Sequence, residues 1–377
     1  IRDMWNPTCY RHPGKVSDSQ YHCSIDDNGG VHRNSGIPNH AFALIVDGGI
    51  YNGQTISGIG LTKAAHIYWR AQDVYQGQAT DFVEHADALE TACTDLIGTN
   101  LNNLNTGAPS GQIISASDCT QVTKTMQAVE MRNPPTQCNF QPLLAQNPPA
   151  VCSGSGSTTP IYSDTFETVM TTTWVLSNQG VFAEYVPRNW QWVSNLPQSL
   201  PGHAFFALDD PNLGNCVPGS DDQSGVVMLQ SPVITLPAIT GTATVINLAF
   251  DHNLASEPGW DGGNLKVSIN GGAFQLITPT QFIYNPYNST IFSDVEGNTN
   301  PLAGQPGFTG SDGGAVVSLW GQSQVNLAGL AGPGDTVQFR FDFGTDGCGG
   351  NIGWYVDNVQ VNYCVGSKFY LPIIYKN

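Results

Sequence analysis

The chain has 377 residues, with 13 Lys plus Arg against 30 Asp plus Glu and a formal net charge of −17. Only 11% of residues are charged, against roughly 25% in an average globular chain. No basic block exists, which disfavours an electrostatic nucleic-acid binder, and no apolar run approaches the ~18 residues of a membrane span. At 40% hydrophobic residues the chain can bury a core, and its length suggests two domains with room for a third.

The first residue is Ile1, and no basic start followed by an apolar stretch resembles a signal peptide. The expectation is a chain that begins after a cut, a truncation or an incomplete record. Few lysines, many Asn, Ser, Thr and Gly, and nine cysteines outside C-x-x-C pairs read as an exported protein with disulfides. A zinc ribbon or thioredoxin site is not expected. Nine is odd, so one thiol is free or has its partner outside the chain. The charge is uneven: 1–150 hold 8 basic and 13 acidic groups (net −5), and 151–377 hold 5 and 17 (net −12).

Before residue 132 the chain reads as mostly helical. The short apolar stretch 39–46 suggests a helix. Segment 61–75 repeats apolar residues at Leu61, Ala64, Ala65, Tyr68, Trp69 and Ala71, the spacing of a buried helix face. Segment 81–97 does so through Phe82, Ala86, Leu89, Ala92, Cys93 and Leu96, with Asp81 and Glu84 as a capping box and Gly98 at the end. Segment 117–131, with Val122, Met126 and Val129, is a third. Residues 132–160 are rich in Pro, Gly and Ser and read as a linker, with Cys138 and Cys152 placed to close it into a loop.

From 161 to 363 short alternating or β-branched runs follow one another, bounded by Gly, Asp, Asn or Pro: 225–229, 243–250, 264–269, 336–343 and 354–361. Asn270-Gly271-Gly272 is a hairpin signal. Eight to ten strands in this length predict an all-β sandwich of jelly-roll type. The tail 364–377 carries an apolar run at 369–374, read as a terminal strand or a sorting tail, with the strand as default.

The most informative stretch is 27–37, D-N-G-G-V-H-R-N-S-G-I. Two glycines allow close backbone approach, and Asp27 can fold back onto His32 five residues on. An Asp–His pair orients an imidazole as a cation or proton donor; alone in a loop it is more often structural than catalytic. These residues resemble the catalytic-histidine segment of the thermolysin-like zinc metallopeptidases. The resemblance extends to I-R-D-M-W-N-P at 1–7, to 39–44, to G-I-G at 58–60 with the helix after it, and to 81–98, and covers 1–131, the family's C-terminal helical domain.

By resemblance, His32 donates to the oxyanion of the tetrahedral intermediate, Asp27 holds His32, and Arg2 binds the substrate carbonyl and its developing charge. Asn34 and Ser35 match structural positions, and Arg33 replaces an apolar residue and is read as a surface change. A bridge spaced like Cys93–Cys119 occurs in some relatives, and Cys9–Cys23 would close a short loop ahead of Asp27. The family holds catalytic zinc with H-E-x-x-H on one helix and a later Glu. None of the eight histidines starts such a motif. The resemblance therefore implies the C-terminal portion of a secreted zinc-dependent metalloendopeptidase acting on proteins or peptides, with the zinc (Zn2+) ligands and the Glu that activates its water outside this chain. Alone it is expected to be inactive.

The β region resembles the jelly-roll and MAM-like modules appended to secreted peptidases, through Phe166-Glu167, H-A-F-F-A-L-D-D-P at 203–211, D-D-Q at 221–223, and G-W-Y-V-D-N-V at 353–359. Glu167, Asp209, Asp210 and Asp357 are expected to meet where the first and last strands pair and to bind one Ca2+. Trp190, Trp192, Trp260 and Trp320 could stack on sugars, with core packing the commoner use of such residues. No G-x-S-x-G elbow, P-loop or dinucleotide fingerprint is present. The alternative reading is a non-enzymatic secreted protein that binds glycans or cell-surface matrix, with the helical region as a relic.

Overall fold

A computed structural model describes residues 2–24, 26–76, 80–152, 157–168, 173–238, 244–313 and 317–365. The apolar run at 369–374 lies outside the described residues. The chain forms two compact units, one mainly of residues up to Gln141 and one mainly of residues from Pro142. No described helix is long and apolar enough to cross a membrane.

The first unit is helical. A five-residue turn of helix, α1 (Asp26–Gly30), precedes α2 (Gly36–Asp47), which buries Ile37, His40, Ala41, Leu44 and Ile45 along one face. Helix α3 (Leu61–Arg70) runs on as a π turn, Ala71–Tyr75, so the helix expected over 61–75 changes winding in its last turn. Helix α4 (Phe82–Asp95) starts at Asp81, whose side chain accepts from the Glu84 amide in the expected capping box. Helix α5 (Ala116–Ala128) starts at Ser115 with a second such box, closed by Asp118. The buried faces share one core around Ile37, Leu44, Ile67, Leu89, Val122 and Met126, and Cys93–Cys119 ties α4 to α5.

The second unit is a jelly-roll sandwich of two antiparallel sheets. Among the described residues one sheet has six strands, with Thr336–Thr345 at its centre, and the other seven, with Gly353–Val365 and Thr244–Ala255 at its centre. Alternation drives this: Val337, Phe339, Phe341 and Phe343 are at most 1% exposed, and each such side chain contributes about 2–3 kcal/mol on burial. Asn270 and Gly271 both take positive φ where Gly262–Ile269 turns back to Gln275–Leu276, as a tight hairpin turn requires. Leu144 is part of this unit's core and Cys152 is bonded to Cys364. Strand Gly353–Val365 takes two partners on one edge: Ala204–Leu208 lies along 353–356, and Ser157–Asp164 along 359–365.

Two expected disulfide loops are corrected. Cys23 bonds Cys138, not Cys9, because the 3-10 turn Pro7–Tyr10 leaves Cys9 exposed as a free thiol. Cys138 and Cys152 do not close a loop on each other; Cys152 is drawn to the last strand. Cys216 pairs with Cys348.

Candidate functional site

The helical unit brings Arg2, Asp27 and His32 together. Asp27 sits at positive φ in α1, which turns its carboxylate toward the residues that follow the helix. Its Oδ1 lies 2.6 Å from His32 Nδ1, and its Oδ2 accepts from the amides of His32 and Arg33 at 3.2 and 3.0 Å. Burial works to raise the Asp27 carboxyl, but the His32 and Arg33 hydrogen bonds outweigh it and hold the group below the usual carboxylate range. An ionised Asp27 accepts the Nδ1 proton, and Nε2 remains as the second ring position. The His32 side chain is 72% exposed, so that position is open to a substrate. Arg2 Nη2 donates to the His32 backbone carbonyl at 3.4 Å, which brings the guanidinium to the same residue.

Gly30 makes the loop possible. Its φ is +88°, and a Cβ there would lie 2.6 Å from Asn34 Nδ2 and 3.0 Å from His22 Cβ. Asn34 is buried and clasps the His22 backbone, accepting from its amide at 2.8 Å and donating to its carbonyl at 3.0 Å. Ser35 Oγ donates to the His32 carbonyl. Both residues are structural, as their motif positions imply. Arg33 does more than alter the surface: its Nη1 lies 3.0 Å from His22 Nδ1, and it lines a cavity with Tyr10, Arg11, His12 and Gln20. Sequence reasoning missed this cavity because its lining comes from 10–12, 20 and 33, outside any one motif. His12 is pushed below the usual imidazole range by partial burial and then by Arg2, with Asp27 opposing.

The expected four-carboxylate set does not assemble. Strand Ala204–Leu208 separates it, since Val356 pairs with Phe205 and Gly353 with Leu208. At one end Asp357 faces Asp251, Glu167 and Asp164, with burial first and these neighbours next raising it to about 7. At the other end Asp209 follows Leu208, and its amide donates to the Ile352 carbonyl. Asp210 caps a turn at Asn212. Five strand residues span about 16 Å, too far for one ion. Of the four tryptophans named above, Trp190 is buried and packs on Trp354, Trp192 stacks on His203, and Trp260 and Trp320 are half-buried against Phe292 and Tyr355; each of the four has an aromatic neighbour.

Residues 1–107 match the sequence model of the thermolysin metallopeptidase, alpha-helical domain. This part of the chain is similar to the helical domain of the thermolysin-type peptidases. A zinc metalloproteinase of Renibacterium salmoninarum is 36% identical over 138 residues, covering 35% of this chain and 23% of that protein. Bacillolysin of Bacillus cereus is 40% identical over 100 residues, 26% and 17% of the two chains. Thermolysin of Alicyclobacillus acidocaldarius is 35% identical over 105 residues, 28% and 19%. The chain thus spans about a fifth of the length of the curated relatives it matches.

Among solved structures, the K3 cleaved adhesin domain of Lys-gingipain from Porphyromonas gingivalis is 15% identical, covering 54% of this chain and 99% of that one, with a TM-score of 0.27. A tandem CBM22 domain from Paenibacillus barcinonensis is 10% identical, covering 59% and 49%, with a TM-score of 0.28. Likeness at these scores carries no argument about a ligand.

The described residues of the helical unit hold no group of ligands that fits a catalytic zinc. The sequence has no H-E-x-x-H. Among the described residues, the groups of three potential ligands are Cys216, Asp346, Cys348 and Glu257, Asp261, Asp346, both in the sandwich. The two cysteines of the first group are bonded to each other.

Proposed function

We propose that this chain supplies the oxyanion-binding side of a secreted zinc-dependent endopeptidase, with the zinc-holding residues outside these 377. The observation that carries the reading is the 2.6 Å Asp27–His32 contact under an exposed imidazole, with Arg2 at its side. Asp27 fixes the ring through Nδ1. An Nε2–H on that ring and the Arg2 guanidinium are donors for a carbonyl oxygen as it gains negative charge. Such preorganised donors contribute a few kcal/mol each, about 10²–10³ in rate. The metal's chemistry belongs to the other part of the enzyme. Protein or peptide chains are the substrates, and the sandwich is an accessory domain of the same protein. Four disulfides fit an oxidising compartment outside the cell.

The test uses the complete parent protein, including any sequence upstream of Ile1. His32→Ala should lower kcat on a peptide substrate by about 10²–10³ while bound zinc stays constant. An unchanged kcat would refute the role of His32. Purified 1–377 should not cleave casein; chelator-sensitive cleavage by it would show that the zinc residues lie within the chain.

A further inference from the structure

A second group of acids, outside the site above, lies where Ala204–Leu208 ends. Asp209 and Asp261 are each 1% exposed and Asp346 is 9% exposed. Carboxylate oxygens of Glu257, Asp261 and Asp346 lie within 4.8 Å of one another. Asp209 lies against Asp261, and its Oδ2 accepts from the amides of Glu257 and Asn351 at 3.2 and 3.0 Å. Asp261 Oδ1 accepts from the Asp346 amide at 2.6 Å, while its Oδ2 is fully buried and has no hydrogen-bond partner among the described residues.

Among the described residues no positive charge reaches this group. Of the sandwich's described cations, Lys266 and Arg340 are held by Asp342, and Arg188 donates to the Gln223 carbonyl and Thr345 Oγ1. A buried carboxylate oxygen without a donor or counter-charge is strongly unfavourable.

The backbone around the group is shaped to it. Gly349 and Gly350 take φ of +79° and +127° and press against the acids: a Cβ would fall 2.5 Å from Glu257 Oε2 and 2.8 Å from Asp209 Oδ1. Cys216–Cys348 anchors the same loop. The donor set is all oxygen, since both nearby sulfurs are consumed in that disulfide. Oxygen-only, carboxylate-rich and irregular sites suit Ca2+ rather than Zn2+.

We propose that Asp209, Glu257, Asp261 and Asp346 form a calcium site that fixes the 346–351 loop on the sandwich. It is distinct from the acids around Asp357 at the other end of Ala204–Leu208. The site accounts for the bare Asp261 oxygen, for the like-charged burial and for the close approach of the two glycines together.

The test is equilibrium dialysis of chelator-treated 1–377 against Ca2+. The wild type should bind Ca2+, and its sandwich unfolding transition should move to higher temperature with added Ca2+. The isosteric pair Asp261→Asn plus Asp346→Asn should remove one bound ion per chain, or weaken it at least 100-fold, and abolish that part of the thermal shift. Glu257→Gln, at a half-buried position that tolerates change, should weaken the same ion without removing the fold. Asp357→Asn should leave this ion in place. The proposal is overturned if the wild type binds no Ca2+ at ~10 mM, above the range of weak extracellular sites. It is also overturned if the double variant and Glu257→Gln keep wild-type affinity and stoichiometry, or if only Asp357→Asn loses calcium.

Discussion

Replacing His252 by glutamine should remove a contribution that destabilises the sandwich in mild acid. His252 is 0% exposed, between Phe250, Phe308 and Trp354. Its protonation is set by its neighbours. The Trp354 indole N–H, which can only donate, points at Nδ1 at 3.1 Å. Ser323 Oγ donates to the Asn285 carbonyl at 2.8 Å and so accepts from His252 Nε2 at 2.8 Å. The ring therefore carries one proton, on Nε2, and a second would face the indole N–H. Burial lowers the group to about 3 from 6.5.

The sign follows from linkage. Below pH 6.5 the unfolded chain binds a proton at this position and the folded chain does not, so stability rises with pH through the window between about 3 and 6.5. Each unit of pH is worth about 1.4 kcal/mol, so by pH 5 the buried ring has cost about 2 kcal/mol. Glu257 and Asp357, both raised to about 7, tilt the curve the other way, because they hold protons in the folded state. The informative quantity is thus the difference between wild type and His252→Gln. Urea unfolding followed by tryptophan fluorescence at pH 7, 6 and 5 measures it. At pH 7 the variant should be less stable by about 1–2 kcal/mol through lost packing. The gap should close by about 2 kcal/mol at pH 5. A gap constant within ~0.5 kcal/mol over that range would refute a neutral, buried His252.

Two further outcomes follow from the helical unit. Gly30→Ala should destabilise it by about 2–4 kcal/mol, combining left-handed strain with the loss of the Asn34 clasp on His22; a change under ~0.5 kcal/mol in chemical unfolding would contradict the close approach. Alkylation of the native, unreduced protein should add one label, at Cys9, and nine after reduction in denaturant; mass spectrometry showing two or more native labels would break the disulfide map.

What could be read ahead of the structure was local. The Asp27–His32 pair spans five residues, and the glycines between them let the backbone take the left-handed turn that brings carboxylate to imidazole. The helix at 81–97 declares both a buried face and a cap within one or two turns, the one at 117–131 a buried face, and Val337, Phe339, Phe341 and Phe343 declare a strand by alternation. The winding change at Ala71–Tyr75 leaves no mark in that pattern, since a π turn shifts hydrogen bonds without changing which residues are apolar. The cysteines resisted for a different reason. Cys23–Cys138 and Cys152–Cys364 join residues 115 and 212 apart, and such closures depend on which strands and helices become neighbours, so short loops looked more natural.

The acids show the same limit most sharply. Asp209 and Asp210 are adjacent in sequence, yet Asp209 meets Glu257, Asp261 and Asp346 while Asp210 only holds a turn. Glu167 and Asp357 do come together, because Glu167 follows the strand Ser157–Asp164 that pairs with the last strand. What divides the two groups is the register of Ala204–Leu208 against 353–356. That register is set by which faces of Phe205 and Ala207 enter the core, and a shift by one residue would turn those side chains outward. The placement of every carboxylate at either end of that strand is therefore a consequence of apolar packing between them. The H-A-F-F-A-L-D-D-P run contains the residues that decide it, and the partners on which the decision falls lie about fifty to a hundred and forty residues further along the chain.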